Sequence, residues 1–533
     1  MGGARAAAQL SGGRPRFETK GLTGKASLNA VAAGLDYGAR VLVELAINPF
    51  MVASLGDYLY GLWRILWRVS NYVVLMTGRS AQALKTVIAN QQSSDDFGKK
   101  RRDLGASLVV WLLTQPLVIA FSAVLVWYMP VLLKVPGEFV SLSRVAAAML
   151  AANVIVLAVA DVPRAVLQGE NLGYKRMGLS SVLVFAGGGL MVLALRLGLG
   201  LVGVAGAALA TTLLNGALFL GVVKRHVPWF GLAMPSRADV RGFMKLSGWF
   251  TLWRLVLQLM SASDVVILGM LDSVGIVTVY TLTKYVPEAM IGLVATFVFG
   301  AVPGLGGVIG SGKLEKAARV RTEIQSFTWF VATVAGTMVL LWNRSFLGLW
   351  VGAKYDAGPL ATLLITTMTT QFVLIRNDAN LIDLTLRVQE KTLVGLLSSV
   401  LSVLLACLFV GPLKLGIAGL CLGYISGRSL MSVLYPWRMG RLLGQSFASQ
   451  VQGAIRPVLA TAALYGLGVT LGPRLAARSW PALVLQAGLT AATLSLLAPL
   501  VGLSTEQRRL LLRRFRRMAE QALGAPAGKD ESE

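Results

Sequence analysis

"GLDYGARVLVELAINPF", residues 34–50, lies inside a long apolar run yet carries Asp36, Arg40 and Glu44, one ionisable residue at every fourth position. Read as a membrane crossing, it puts three charges in hydrocarbon, at about 2.5–3.5 kcal/mol each on insertion scales. Successive steps of four turn only about 40° around a helix, so the three share one stripe. A lipid-facing stripe of that kind is prohibitive. The expectation is a helix that buries its charged face inside a bundle, with Arg40 pairing with either acid.

The rest of the chain agrees. Of 533 residues, 55% are apolar and only 14% charged, with a mean hydropathy of +0.67. A soluble protein needs about a quarter of its residues charged to coat its surface. The two cysteines, Cys407 and Cys421, fall in apolar runs and read as packing residues, and the single histidine, His226, lies in a basic loop. Zinc sites and histidine base chemistry therefore have almost no material. The first 26 residues are polar and basic, and the apolar run after them is too long and too charged for a cleavable signal peptide.

About 20 mostly apolar residues make a spanning helix. On that basis fourteen spans are expected, near 27–54, 58–80, 105–130, 142–163, 178–196, 200–222, 247–271, 276–305, 325–343, 357–381, 393–411, 415–436, 457–471 and 481–503. Most of the 50 Lys and Arg then fall in loops on the side of the N-terminus, including "KKRR" at 99–102 and "RRLLLRRFRR" at 508–517. The opposite loops hold only Lys134, Arg196, Arg344, Lys354, Lys414, Arg474 and Arg478. The positive-inside rule then places both termini in the cytoplasm. Scattered over cytoplasmic loops, the +25 charge suits anionic lipid headgroups rather than nucleic acid, and the C-terminal run reads as a surface anchor.

The second half echoes the first. "LSSVL" stands at 179–183 and 397–401, "GVAGAAL" at 203–209 returns as "GIAGLCL" at 416–422, and Glu44 precedes "YGLWR" (60–64) as Asp264 precedes "YTLTK" (280–284), the last pair at a shift of 220. Six spans separate the copies, so the two would share one orientation about an axis along the membrane normal. The expected architecture is all-helical: a basic tail (1–26), an N-lobe of six helices (27–222), a basic inter-lobe loop (223–246), a C-lobe of six (247–436), two further helices (437–503) and a basic tail (504–533).

The chain here resembles the multidrug/oligosaccharidyl-lipid/polysaccharide (MOP) exporter superfamily, and within it the bacterial polysaccharide and O-antigen flippases. The resemblance is carried by "NPFMVASLGDYLYGLWRIL" (48–66), "PRAVLQGENLGYKRMG" (163–178), "DVVILGMLDSVGIVTVYTLTKYV" (264–286) and "VPGLGGVIGSGKLEKAARVR" (302–321), over roughly residues 27–436. It implies two six-helix bundles around a central cavity, rocking alternating access without ATP, and a lipid-linked oligosaccharide of the undecaprenyl-pyrophosphate type carried across the bacterial inner membrane. It also implies polysaccharide-assembly proteins as partners. The chain reads as a monomer without cofactors.

Such a cargo needs cations in the cavity. Arg40, Arg64, Arg68, Arg254 and Lys284 are the candidates, because guanidinium groups clamp phosphate oxygens in two-pronged fashion and lysine acts as a point charge. Asp36, Glu44, Asp264 and Glu288 are candidates for pairing or for proton or sodium coupling, with Glu44–Arg64 expected in one lobe and Asp264–Lys284 in the other. Arg68 and Arg254 have no partner by spacing. "GVIGSGKL" (307–314) mimics a phosphate loop but has Leu314 where Ser or Thr would hold magnesium, and a span precedes it rather than a strand. The rivals are an ion-coupled multidrug-type exporter of the same superfamily and a non-transporting scaffold. A membrane enzyme is disfavoured, because the outer loops are short and collect no acids or histidines.

Overall fold

The computed structural model describes residues 19–77, 80–91, 94–170, 172, 178–289, 314–383 and 388–512. Among these the chain forms helices and turns, with no strand. The first helix, α1 (Thr19–Met76), has 58 residues and would run about 87 Å if straight, far more than a hydrocarbon core of about 30 Å. It does not run straight. Gly56 sits at φ 73°, ψ 172°, a conformation open only to glycine, and the helix turns there. Tyr60 Oη donates to Asn48 Oδ1 at 3.2 Å, whereas twelve residues of continuous helix span about 18 Å. The element is thus two arms folded together, where the sequence placed spans 27–54 and 58–80.

There follow α2 (Ser80–Asn90), α3 (Phe97–Leu132), α4 (Gly137–Gly169), α5 (Leu179–Arg196), α6 (Gly200–His226), α7 (Arg237–Ser261), α8 (Ser263–Leu271) and α9 (Val274–Thr283). The second part continues with α10 (Leu314–Trp350), α11 (Pro359–Asp383), α12 (Val388–Val410), α13 (Gly416–Leu442), α14 (Phe447–Leu471) and α15 (Trp480–Gly502). Among the described residues, eleven helices are long and apolar enough to cross a membrane, or twelve if a bent pair counts as one span. That tally takes Leu35–Met76 once, and the expected span 276–305 continues past Ala289 outside the described residues.

Three boundaries differ from the sequence reading. The expected span 247–271 is broken into α7 and α8, bent by 52°. The bend leaves the last carbonyls of α7 without helical donors, and the buried Arg428 guanidinium of α13 donates to Met260 O there and to Met368 O of α11. A cation at a helix C-terminus is favourable, so the break is held by charge as well as by hydrogen bonds. The short helix α2 stands apart from the span before it, and α10 begins eleven residues ahead of the expected 325, carrying Arg321 into the protein. Arg321 is 2% exposed and grips Asp378 through two bonds of 2.8 and 2.9 Å, with Gln445 and Gln450 accepting from its other nitrogen.

Helices α1 to α6 pack mainly on one another, as do α8 to α13, while α7 bridges them, lying against α1, α2 and α3 on one side and α12 on the other. The two final helices, α14 and α15, lean on α10, whose apolar window is 78% buried, so α10 is enclosed on all sides. Small residues set the contacts, as expected where lipid supplies no hydrophobic drive between helices. Added Cβ atoms at Gly423 and Gly427 of α13 would collide with the backbone of Ala406 and Ser402 on α12. The outward faces carry a belt of leucines, such as Leu112, Leu113 and Leu404, each at least 60% exposed.

Replacing Gly427 by Leu is expected to destabilise the bundle by about 1–3 kcal/mol, the cost of overpacking. Gly466→Leu, where an added Cβ meets open space, is expected to be neutral. Thermal unfolding of the purified protein in detergent checks this, and equal midpoints for the two variants would contradict it.

Candidate functional site

The seam between the two groups of helices is made by the second arm of α1 against α8 and α9. It closes first at the Gly56 end. A Cβ at Gly61 would strike the Val274 carbonyl, so only glycine lets α1 approach α9 this closely. Beside it Thr278 donates to the Asp57 carbonyl at 2.6 Å, while the Asp57 carboxylate accepts from Tyr355 and from Lys354 at 3.1 Å. The first arm is pinned by side chains of the second half. Trp350 donates to Leu45 O at 2.6 Å, Tyr285 to Val41 O at 2.8 Å, and Tyr37 donates in return to Ala289 O.

Deeper in the seam lie the charges. Lys284 Nζ stands 2.5 Å from Asp264 Oδ2, and both side chains are less than a tenth exposed. The same carboxylate accepts from Tyr280 at 2.7 Å and from the Val265 N–H at 2.8 Å, so three donors hold it. Arg68 on α1 reaches across to Glu288, one turn beyond Lys284, with bonds of 2.9 and 3.3 Å. The charges of Arg68 and Lys284 both act on Asp264 and on Glu288, so the four groups form one electrostatic unit. Tyr72, one turn after Arg68, shares a 2.5 Å hydrogen bond with Ser263 at the start of α8.

Glu44 belongs to the same cluster. The charges of Arg64, Glu288, Arg68 and Arg40 all act on it. Arg40, Arg64, Arg68 and Lys284 against Glu44, Asp264 and Glu288 make four cations and three carboxylates. Lys284 and Asp264 are buried, Arg64, Arg68 and Glu288 half-buried, and Arg40 and Glu44 exposed. The cluster therefore grades from a dry floor to an accessible mouth.

Seven of the nine residues singled out in the sequence come together here. The expected Asp264–Lys284 pair is formed. Its counterpart is not: Glu44 and Arg64 feel each other's charge but close no ion pair among the described residues. Arg68, expected without a partner, has Glu288, a residue 220 positions away that no local spacing could supply. Asp36 is buried and turned toward α5, where Ser181 donates to it at 3.3 Å. Arg254 is exposed on α7, away from the cluster, with no carboxylate acting on it among the described residues. Sequence reasoning missed Tyr280, Tyr72, Ser263 and the Asp57 closure. A signal for Tyr280 was present, since Tyr60 and Tyr280 head the two repeated motifs "YGLWR" and "YTLTK".

A helical membrane bundle with a charged seam of this kind defines a class. Its fold is shared with solved members of the MOP superfamily: the lipid II flippase MurJ (TM-score 0.66, 13% identity, 88% of this chain and 97% of that one) and an inward-facing multidrug-resistance MATE transporter (0.54, 16%, 76% and 99%). A MOP superfamily transporter from Pyrococcus furiosus is similar to the same degree (0.54, 16%, 79% and 96%). Residues 49–305 match the family model described as polysaccharide biosynthesis protein. No curated protein matches it in sequence.

Asp264→Asn strands the Lys284 ammonium in the floor of the site and is expected to destabilise the protein by about 3–5 kcal/mol. The double variant Asp264→Asn/Lys284→Met is expected to recover much of that loss. Unfolding midpoints of the three proteins check it. A double variant no better than the single one would mean the pair is not coupled.

Proposed function

We propose that the chain is a flippase that carries lipid-linked oligosaccharide, its sugar joined to a polyprenyl chain through pyrophosphate, across the bacterial inner membrane for polysaccharide assembly. Helices of the two halves act as six-helix lobes related by a pseudo-twofold axis along the membrane normal. They rock to open the cluster to either side in turn, with both termini in the cytoplasm. The observation that carries the reading is the convergence of Arg40, Arg64, Arg68 and Lys284 on one seam with an exposed mouth. Four cations gathered at one seam suit a polyanion that must leave water while its apolar chain stays in lipid.

Two facts support the reading further. Arg68 and Glu288, which pair across the seam, differ by 220, the shift that relates Glu44 to Asp264 and Arg64 to Lys284. Equivalent positions of two copies meet in this way at a twofold axis. The family description speaks of polysaccharide biosynthesis, which favours a sugar-bearing cargo over a cationic drug. A drug cation would also have to enter against the positive excess of the cluster.

Among the described residues Arg40 and Arg64 close no ion pair, so they are the contacts we assign to phosphate oxygens. A hydrogen bond to a charged group is about 1.5–3 kcal/mol, so losing two is expected to slow transport by about a hundredfold or more. Flipping of a fluorescent lipid-linked oligosaccharide in vesicles reconstituted with Arg40→Gln/Arg64→Gln measures this. Unchanged flipping would overturn the reading. A strain lacking the protein that is sensitised to cationic drugs while keeping its polysaccharide would favour the multidrug exporter instead.

Glu44 is the carboxylate we assign to proton or sodium coupling. Asp264 is held by three donors and Glu288 by Arg68, whereas Glu44 is exposed and without an ion pair among the described residues. Glu44→Gln is expected to make flipping indifferent to an imposed ion gradient while leaving gradient-free exchange in place. Retained gradient dependence would move the role elsewhere.

A further inference from the structure

A groove of about 610 Å³ runs between the halves on the side away from Gly56, lined by Tyr72 and Met76 of α1, Val110, Leu117 and Phe121 of α3, and Leu252 of α7. It is almost wholly apolar, and its rim faces outward, with Leu117 60% and Met244 51% exposed. From Val110 to Phe121 it follows α3 for about 16 Å, close to half of a hydrocarbon core of about 30 Å. It is therefore one leaflet deep.

Its inner wall touches the charged seam. Tyr72 lines the groove and bonds Ser263, the neighbour of Asp264, while Arg68 stands one turn before Tyr72 on the same arm. Arg254, which the cluster leaves out, lies on α7 next to the lining residue Leu255 and about one turn from Thr251. An apolar trough open to lipid thus ends at cations, with one further arginine beside it. That is the layout an anionic lipid requires, its tail in the trough and its phosphates at the inner end.

We infer that the α3–α7 groove seats the polyprenyl chain of the transported lipid, next to its pyrophosphate, and that Arg254 meets the headgroup on entry. This rests on the flippase reading and extends it to the tail. The cargo need not be swallowed whole. Only its polar part enters the seam, and the chain slides along one side of the bundle.

Gly248 lies in the groove wall, and a Cβ added there meets open space, so Gly248→Leu fills the trough without crowding the fold. Binding of inorganic pyrophosphate and of farnesyl pyrophosphate to the full chain in nanodiscs is compared, with partition into empty nanodiscs subtracted. Farnesyl pyrophosphate is expected to bind the wild type at least about ten-fold more tightly than pyrophosphate. Gly248→Leu is expected to lose about ten-fold of that gain, the loss of roughly two buried methylenes, with pyrophosphate binding unchanged. Leu117→Trp, on the lipid-facing rim, serves as the second variant and is expected to behave alike. Full retention of the chain-dependent gain in both variants overturns the groove while leaving the flippase reading intact. Failure of the wild type to bind either anion overturns both.

Discussion

Charge buried at the contact between two halves of an apolar bundle is the constraint on which this protein is built. Asp264 and Lys284 are dry enough that neither would be tolerated alone, and Arg68 with Glu288 joins them across the seam. Because hydrocarbon offers no water to solvate a stray charge, the helices that bear these residues cannot drift apart without a substitute partner. The seam is therefore a lock, and on the proposed reading a receptor as well. Whatever parts α1 from α9 must bring negative charge for Arg68 and positive charge for Glu288.

On the proposed flippase reading a pyrophosphate would meet the first half of that demand, and Lys284, whose charge already acts on Glu288, the second. Competition of this sort would give the proposed cargo a differential interaction with open and closed arrangements, without which no ligand shifts a conformational equilibrium. The closure around Asp57, Lys354 and Tyr355 at the Gly56 end is small and partly exposed, whereas the groove at the other end is already open to lipid. The broken α7–α8 helix, with Arg428 at the break, supplies an articulation next to Asp264, so a change of charge there has a joint on which to act.

Much of this was legible in the sequence because burying charge in lipid is so costly. Asp36, Arg40 and Glu44 at every fourth position marked α1 as charge-bearing, and the shift of 220 picked out Glu44, Arg64, Asp264 and Lys284. The single buried stripe is not formed: Asp36 alone is buried, and Arg40 and Glu44 are exposed with no ion pair among the described residues. What spacing could not supply were partners remote along the chain. Arg68 looked solitary since Glu288 lies 220 residues on, and Asp36 looked like part of the ion stripe although its partner Ser181 sits on α5. The break at residues 261–262 was invisible, since the Arg428 that satisfies it lies on a distant helix and no local glycine or proline marks it. The groove was equally hidden, because it exists only between α3 and α7.

The most direct test is a structure of the protein in a lipid nanodisc with a long-chain polyprenyl pyrophosphate bound. The account expects the diphosphate between Arg40, Arg64 and Arg68, with the Arg68–Glu288 bridge opened. A diphosphate bound elsewhere, or one bound with that bridge intact, would contradict it.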